Sequence, residues 1–208
     1  MRWFRELAFF DFVNPGDNAM VTITDITTLA HSRFFTIEEV ALNFHGRAAR
    51  YERLAADTHR AVLVVAFLDD EHYLQISEYA VGVEKHLCSL PMGGVEKDET
   101  VDMAARRELL EETGYTAEQF TCLGRIGSVP ALMPHGIDIV VATGLSKVAE
   151  FSGDEPEAPA VSIASFEHLP QTVASGAMQD SRAVAALYLA RDYLGRNRSS
   201  EPALAPLL

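Results

Sequence analysis

The apolar positions of the chain change their spacing from one segment to the next, and each spacing predicts a different element. Ala61–Leu68 is apolar throughout, as is typical of a strand that is buried on both faces of a sheet. Upstream, Val40, Leu42 and Phe44 alternate with other side chains, which is the two-residue period of a half-buried strand. We therefore expect residues 21–54 to contain an N-terminal antiparallel β-hairpin.

Helical patterns occur twice. A first helix is expected between Thr100, which can cap its start, and Gly114, which can end it. A last helix is expected to begin after Asp180 and to end at Gly195. The side chains expected on one side of this last helix are Val184, Leu187, Tyr188 and Arg191.

Further strands alternate with these helices, and a few aromatic residues are expected in the core. The strands are expected at Tyr73–Tyr79, Leu123–Val129, Ile137–Ala142 and Val161–Phe166. The expected core aromatics are Phe67, Tyr73 and Tyr188. Strands that are interrupted by one central helix and closed by another indicate the α/β class, with an α/β/α sandwich around a mixed β-sheet.

The two ends of the chain differ from its centre. Residues 1–19 are aromatic-rich, and they are either an N-terminal arm or an untranslated stretch before a true start at Met20. Residues 20–195 are expected to fold as a single domain, and residues 196–208 are expected to form a flexible tail. The expected parts of the domain are N-terminal strands over 20–58 and a catalytic core with the C-terminal helix over 59–195.

Charge, apolar-run length and cysteine content limit the binding partners and the cellular location that we expect for this protein. The formal net charge is −13, from 17 basic and 30 acidic residues, which disfavours binding to nucleic acid or to anionic lipid. The longest apolar run, Ala61–Leu68, is too short to cross a membrane. The two cysteines, Cys88 and Cys122, have no metal-binding or CxxC spacing, as expected for reduced thiols in a cytoplasmic protein.

Candidate chemistry is concentrated on the first predicted helix. Glu108, Glu111 and Glu112 are spaced i, i+3 and i+4, which places their carboxylates within about 100° of arc on one face. Such a cluster taken alone is typical of a solvated helix face. Because like charges at this spacing repel each other, we instead interpret it as a site for divalent cations, Mg²⁺ first and Mn²⁺ as the alternative.

The spacing also matches a known signature. Gly93, Glu99 and the run from Arg107 to Tyr115 fit the Nudix box, GX5EX7REUXEEXGU, in which U is a bulky apolar residue. Tyr115 at the last U position is the loosest match. The chain therefore resembles the Nudix hydrolase superfamily. The resemblance implies the Nudix fold and cleavage of a diphosphate bond by metal-activated water.

The resemblance extends beyond the box, from about residue 27 to residue 194, to the branch of the ADP-compounds hydrolases and ADP-ribose pyrophosphatases. The matching segments are Ala30–Thr36, Tyr51–Arg53, Glu78–Gly82 and Gly153–Glu157. This branch implies Mg²⁺-dependent hydrolysis of ADP-ribose, NADH or diadenosine polyphosphates with release of AMP. It also implies a homodimer whose N-terminal strands help to build the partner's site.

The resemblance and the residue types together assign roles. Glu108, Glu111 and Glu112 are expected to bind metal, and the resemblance adds the carbonyl of Met92. Arg107 is expected to orient an acidic neighbour. Substrate-contacting candidates are Tyr79 and Glu84, and the backbone of Gly93 and Gly94. The general base is expected to be Glu111 or Glu155, with His135 as a weaker candidate.

Three departures from the branch leave alternatives open. Ser77 stands where an arginine that would grip the diphosphate is common, and Asp98 stands where glycine is frequent. The loop 130–136 carries no carboxylate, although relatives of the ADP-ribose type use a loop glutamate as base. The alternatives are a nucleotide-binding sensor with little or no turnover and a Nudix hydrolase that acts on another nucleoside di- or triphosphate.

Overall fold

The computed structural model describes residues 21–33, 35–55, 60–153 and 156–198. The described residues fall into two compact units: residues 21–55 with the short segment 131–134, and residues 60–130 with 135–198. The predicted extension 1–19, the alternative start Met20 and residues 199–208 of the predicted tail lie outside the described residues. The single-domain assignment, with its internal boundary between residues 58 and 59, stays a prediction.

The first unit is a three-stranded antiparallel sheet. Its strands are β1 (Val21–His31), β2 (Thr36–Phe44) and β3 (Arg47–Ala55), in the order β1-β2-β3. The turn between β2 and β3 consists of His45 and Gly46, whose φ angles of 51° and 89° are both left-handed. Two-residue turns of this kind match the twist of paired strands. The predicted hairpin is therefore present, and β1 extends it by one strand.

The second unit contains two sheets and three helices. Its strands are β4 (Ala61–Ala66), β5 (His72–Ala80), β6 (Lys85–Ser89), β7 (Met92–Gly94), β8 (Tyr115–Gly127), β9 (Gly136–Lys147) and β10 (Ala160–Ser165). Its helices are α1 (Val101–Thr113), α2 (Leu169–Ala174) and α3 (Ser181–Arg198). The central sheet has the order β7-β4-β9-β8, and the smaller sheet has the order β10-β5-β6. The central sheet is mixed, because β4 and β9 are parallel and its other pairs are antiparallel.

Strand β4 is buried along its whole length because a helix packs on each face of the central sheet. On one face, Val62 and Val64 contribute to a core with residues Ala104, Ala105 and Leu109 of α1. On the other face, Leu63 and Val65 contribute to a core with residues Ala183, Ala186, Leu187 and Ala190 of α3. This arrangement confirms the predicted α/β/α sandwich around a mixed sheet.

The C-terminal helix corrects two expectations. Its buried stripe is formed by Ala183, Ala186, Leu187 and Ala190, so Tyr188 lies one position, or about 100°, away from it. The prediction that Tyr188 is a core residue was wrong, since it is 47% exposed. The helix also continues through Gly195 to Arg198, so residues 196–198 are helical and not part of a tail. A glycine costs a helix only about 1 kcal/mol, which does not by itself end it.

The remaining elements agree in part with the predictions from the sequence. Phe67 and Tyr73 are buried as predicted, and both rings lie against Phe166, with centroids 5.4 Å and 4.8 Å away. Strand β8 begins immediately after α1, eight residues before the predicted strand at Leu123. Strands β6 and β7 and helix α2, which have five, three and six residues, were not predicted. No helix within the described ranges is long and apolar enough to span a bilayer.

Candidate active site

Helix α1 has the boundaries that its capping residues predict. The hydroxyl of Thr100 accepts a hydrogen bond from the backbone N–H of Met103 at 3.2 Å, which caps the start of the helix. Gly114 ends the helix with a left-handed φ of 71°, and its N–H donates to the carbonyl of Leu110. A Cβ at Gly114 would lie 2.0 Å from the carbonyl oxygen of Ala149, so glycine is required there for space as well as for conformation.

The three carboxylates of α1 have different environments. Glu108 and Glu112 are only 7% and 4% exposed, whereas the side chain of Glu111 is 38% exposed. The carboxylate of Glu112 accepts a hydrogen bond from the backbone N–H of Met92 at 3.1 Å. The cluster is therefore not a solvated helix face: two of its members are buried at the junction of α1 with β7.

Gly93 is the point of closest approach between β7 and α1. It pairs with Val62 in the central sheet, and a Cβ built on it would lie 2.0 Å from Oε1 of Glu108. Any side chain at this position would displace that carboxylate. Gly94 is different, since a Cβ there would meet nothing within 4 Å. The close approach to α1 therefore requires glycine at position 93 but not at position 94.

Arg107 connects the loop, the strand and the helix. Its Nε and Nη2 donate to the two carboxylate oxygens of Glu99, both at 3.0 Å. Its Nη1 donates to Glu108 at 2.7 Å and to Glu111 at 3.1 Å, and Nη2 donates to the carbonyl of Gly94 at 2.8 Å. These bonds occupy the five N–H donors of a guanidinium. Arg107 therefore has no donor left for a substrate while these bonds persist.

The ion pair between Arg107 and Glu99 changes the pKa of both groups. The hydrogen bond from Arg107 holds the pKa of Glu99 below its ordinary value. The bonds to Glu99, and next those to Glu108 and Glu111, raise the pKa of Arg107. Both residues therefore stay ionised over the whole physiological pH range. The ion pair that holds the segment between β7 and α1 in place does not depend on pH near neutrality.

The turn before the helix accommodates Asp98 without a glycine. Asp98 has a φ of 67°, which is the left-handed conformation that glycine adopts readily and that aspartate tolerates better than most residues. Glu99 closes the turn, because its carboxylate accepts from the backbone N–H of Glu96 and its own N–H donates to the Glu96 carbonyl. The substitution of Asp98 for glycine is therefore compatible with a tight turn.

The atoms that could bind a metal at this site suit a hard cation such as Mg²⁺, because all of them are oxygens. As the side chains are placed, no three acidic, histidine or cysteine residues among the described ones converge to hold an ion. Arg107 bonds to Glu108 and Glu111, and the Met92 amide bonds to Glu112. The donor set fits a divalent ion by its chemistry, and binding requires these carboxylates to exchange existing bonds for metal ligation.

The candidates on the smaller sheet lie at the β5–β6 hairpin. Tyr79 is half-exposed, and its ring meets His86 edge-on with centroids 5.4 Å apart. His86 in turn contacts the carboxylate of Glu157 at 3.1 Å. Glu84 lies in the exposed turn of the hairpin with a left-handed φ of 56°. Tyr79 is therefore a surface aromatic and not a core residue, and within the described ranges no hydrogen bond or ring contact joins it or Glu84 to α1.

Two candidate bases cannot be placed beside α1. Glu155 lies outside the described residues. His135 is held by Ser128, whose hydroxyl lies 3.1 Å from Nδ1 of the histidine and whose N–H donates to the His135 carbonyl. This pair of contacts indicates that His135 closes the base of its loop. Glu111, the most exposed of the three clustered glutamates, is the candidate base that the structure places on α1.

The sequence analysis did not predict a charged cluster that is formed by Asp138, Arg60 and Arg125. Asp138 is 4% exposed, although it lies within the apolar strand β9. Its carboxylate binds Arg60 through Nε and Nη2 at 3.3 Å and 3.1 Å, and Arg125 through Nε and Nη2 at 3.2 Å and 3.0 Å. A carboxylate within an apolar run was the available signal, because buried acids are almost always paired.

Comparisons with known proteins agree with this geometry. The model of the NUDIX domain family matches residues 57–187. The ADP compounds hydrolase NudE of Escherichia coli (strain K12) is 36% identical over 174 residues, which cover 83% of this chain and 92% of the relative. The ADP-ribose pyrophosphatase of Bacillus subtilis (strain 168) is 28% identical over 152 residues, 73% of this chain and 80% of the relative.

A solved structure extends the agreement to three dimensions. The crystal structure of an ADP compounds hydrolase superposes with a TM-score of 0.79 at 35% identity, covering 85% of this chain and 95% of that chain. Nudix hydrolases generally use divalent metal ions, in keeping with the oxygen donors on α1. The box, the fold and both relatives lead to one conclusion: the chain belongs to the Nudix family and is a Nudix pyrophosphohydrolase.

Proposed function

We propose that this protein is a Mg²⁺-dependent hydrolase that cleaves the diphosphate bond of ADP-linked compounds, such as ADP-ribose, NADH and diadenosine polyphosphates, and releases AMP. The observation that carries the proposal is the burial of Glu108 and Glu112 beside Gly93. Burying two like charges one helical turn apart is costly, and a bound Mg²⁺ would compensate them in addition to Arg107, which already pairs with Glu108. The similarity to a named ADP compounds hydrolase over 92% of its length supports the choice of substrate class.

In the proposed site, Glu108, Glu111, Glu112 and the carbonyl of Met92 hold the metal. Bound Mg²⁺ would neutralise charge on the diphosphate and acidify a coordinated water. The backbone of Gly93 lies against Glu108, and the carbonyl of Gly94 accepts from Arg107. The diphosphate is proposed to approach the main chain at these two glycines, which have no side chain to block it. Positioning and charge neutralisation supply most of the catalysis in reactions of this type.

Arg107 acts as a positioning residue in this proposal. Its donors bond to Glu99, Glu108, Glu111 and the Gly94 carbonyl, and so they fix the loop relative to the helix. Glu111 is the proposed general base, because it is the most exposed of the three clustered glutamates. Glu155 is the alternative base.

Tyr79 and Glu84 are proposed substrate contacts, with the exposed ring of Tyr79 offering an apolar face to a nucleobase.

We also propose a homodimer and a cytoplasmic location. Large apolar side chains of the β1–β3 sheet are exposed in the single chain, and a second copy would cover such a surface. These side chains are Ile23, Ile26, Leu29, Phe35, Ile37 and Tyr51. Sedimentation velocity tests the dimer.

The proposed cytoplasmic location is supported by Cys88 and Cys122, which are both free thiols.

A substrate panel tests the enzymatic proposal. Purified protein is incubated with Mg²⁺ and ADP-ribose, NADH, a diadenosine polyphosphate or a nucleoside triphosphate, and AMP is quantified by chromatography. We expect AMP from at least one ADP-linked compound and a loss of about a hundredfold or more in Glu112→Gln. Asp102→Asn is the matched control, because this acid lies on the exposed side of α1 and pairs with Arg106.

The outcomes of the panel separate the alternatives. AMP release from none of the ADP-linked compounds, combined with tight nucleotide binding, identifies a sensor. Hydrolysis of the nucleoside triphosphate alone identifies a Nudix enzyme of another substrate class. Equal activity of Glu112→Gln and the parent protein contradicts the proposed metal site.

A further inference from the structure

A second cleft lies between the β5–β6 hairpin and the start of α3. Its volume is about 360 Å³, at the lower end of the range of small-molecule pockets. The hairpin contributes Glu78, Leu87 and Ser89 to its wall, and the start of α3 contributes Asp180 and Arg182. None of the described residues that line it is a proposed metal ligand, so the cleft is separate from the metal site.

Ser89 brings a buried hydroxyl to this cleft. The residue is 3% exposed, and its hydroxyl has no hydrogen-bond partner among the described residues, although buried polar groups are almost always bonded. Leu87 and Ser89 are two residues apart on β6, and Glu78 lies directly opposite Leu87. All three side chains therefore project to one face of the sheet, the face that lines the cleft. A ligand in the cleft would provide the partner that the hydroxyl lacks.

Arg182 is held in a fixed orientation at the α3 side of the cleft. Its Nε and Nη2 donate to the carboxylate of Asp180 at 2.8 Å and 2.6 Å, while Nη1 makes no hydrogen bond with a described residue. The bonds to Asp180 raise the pKa of Arg182, and the nearby charge of Glu78 adds to this increase. One end of a rigidly placed guanidinium therefore remains for a ligand, close to a carboxylate.

The charges around the cleft favour a neutral ligand. Glu78 and Asp180 carry two negative charges and Arg182 carries one positive charge, which leaves an excess of one negative charge. The protein as a whole has a formal net charge of −13. An anionic ligand is therefore repelled. A hydroxyl group suits the cleft better, because it can donate to Glu78 and accept from Arg182.

The remaining wall of the cleft is partly apolar. It includes Ala80, Val83 and Leu87. A ligand that fills the cleft therefore needs an apolar surface as well as hydroxyl groups. A nucleoside has both, since its base offers a flat face and its ribose offers vicinal hydroxyls, which carboxylates bind in nucleotide sites.

We propose that this cleft is a second ligand site, and that it binds a neutral nucleoside through Glu78, Ser89 and Arg182. Glu78 accepts from the ribose hydroxyls, Arg182 and Ser89 donate to them, and the base covers the apolar wall. Tyr79 belongs to a different surface, because consecutive residues of β5 project to opposite faces of the sheet. The site does not depend on the proposed hydrolysis, so either can fail without the other.

Calorimetry with adenosine and the full-length protein, in the absence of metal ions, tests this site. We expect a Kd between about 10 µM and 1 mM for the parent, as is usual for a ligand of this size. Glu78→Gln and Arg182→Gln should each weaken binding by about tenfold or more, because each removes a hydrogen bond to a charged group. AMP should bind more weakly than adenosine, since its phosphate adds negative charge.

Ser89→Ala should have two effects that a purely structural serine would not combine. It should weaken adenosine binding by about threefold or more, because one hydrogen bond is lost. It should also raise the Tm of the ligand-free protein, because it removes a buried hydroxyl that has no partner. The matched control is Ser162→Ala, which changes an exposed serine of β10 that does not line the cleft. Its Kd and Tm should match those of the parent.

Tyr79→Ala separates this cleft from the proposed catalytic site, and parental adenosine affinity in this variant supports the proposal. Loss of affinity in Tyr79→Ala, with parental affinity in the Glu78, Ser89 and Arg182 variants, places adenosine in the catalytic site and overturns the proposal. A parental Kd above about 5 mM overturns it as well, and so does tighter binding of AMP than of adenosine. Glu78→Asp and Arg182→Lys replace a glutamine variant that does not fold; parental affinity in both contradicts the proposal.

Discussion

Arg107 and Glu99 form a two-point ion pair, with Nε–Oε1 and Nη2–Oε2 distances that are both 3.0 Å. The same guanidinium also reaches two carboxylates of α1 and the carbonyl of Gly94. One side chain thus joins the turn at Glu99, the end of β7 and the carboxylate face of the helix. Lysine cannot reproduce these bonds, because it has three donors on one nitrogen and no planar fork.

Replacement of this arginine should therefore reduce catalysis without any loss of a substrate contact. In Arg107→Lys we expect kcat to fall by about tenfold or more, because Glu108 and Glu111 lose their common anchor. KM should change by less. Steady-state kinetics at saturating Mg²⁺ measures both constants, and Arg106→Lys on the same helix is the control. A rise in KM with an unchanged kcat would show instead that Arg107 binds the substrate.

The same ion pair makes a pH-dependent contribution to stability. Because Arg107 lowers the pKa of Glu99 in the folded state, the pair stabilises the protein at pH values above 4.5, the ordinary pKa of a glutamate in an unfolded chain. This stabilisation is lost as the pH falls through the lower folded-state pKa. Urea unfolding from pH 7 to pH 3 should show a smaller decrease in unfolding free energy for Glu99→Gln than for the parent. Identical pH profiles would argue against the pair.

The adjacent glycines of β7 should respond unequally to substitution. In Gly93→Ala the new Cβ would lie 2.0 Å from Oε1 of Glu108, so the carboxylate must move. We expect activity to fall by about a hundredfold, since displacing a catalytic group by about 1 Å has effects of that size. Gly94→Ala should lose much less, because nothing lies within 4 Å of its Cβ. AMP release by the two variants, compared at equal folded fraction, measures the difference.

Local chemistry explains why the sequence predicted the centre of the fold so well. The fully apolar run of β4, the cap at Thr100 and the left-handed Gly114 are all set by nearest neighbours, and the structure contains each of them. The burial of Glu108 and Glu112 could not be predicted in the same way. It depends on β7, a three-residue strand that forms only because β4 lies beside it.

Elements that depend on distant contacts were missed or displaced. The buried stripe of α3 is made of three alanines and Leu187, and the small side chains gave a weak periodic signal, so the predicted face was rotated onto Tyr188. The cluster around Asp138 joins Arg60 and Arg125 from three different strands or strand ends. Such a cluster depends on the pairing of segments that are far apart in the sequence, 78 residues for Arg60 and Asp138, so the pattern along one strand does not reveal it.

Gly195 offers a stabilising substitution. Helix α3 continues through this residue to Arg198, and a Cβ built on Gly195 meets nothing within 4 Å. Alanine lowers the backbone entropy of the unfolded chain and has the higher helix propensity, so Gly195→Ala should stabilise the protein by up to about 1 kcal/mol. Chemical denaturation measures the gain, and activity should be retained. A loss of stability would indicate that the last turn of α3 is not helical in solution.

The last prediction separates metal binding from proton transfer within the carboxylates of α1. Glu112 is buried and bonded to the Met92 amide, whereas Glu111 is the most exposed of the three. Glu112→Gln should therefore raise the Mg²⁺ concentration required for half-maximal activity. Glu111→Gln should lower kcat with a smaller change in that concentration, and it should remove the acidic limb of the pH–rate profile if Glu111 is the base. Magnesium titrations and pH profiles of both variants test this division. A retained acidic limb in Glu111→Gln would assign the base elsewhere, and Glu155→Gln would be the next variant to measure.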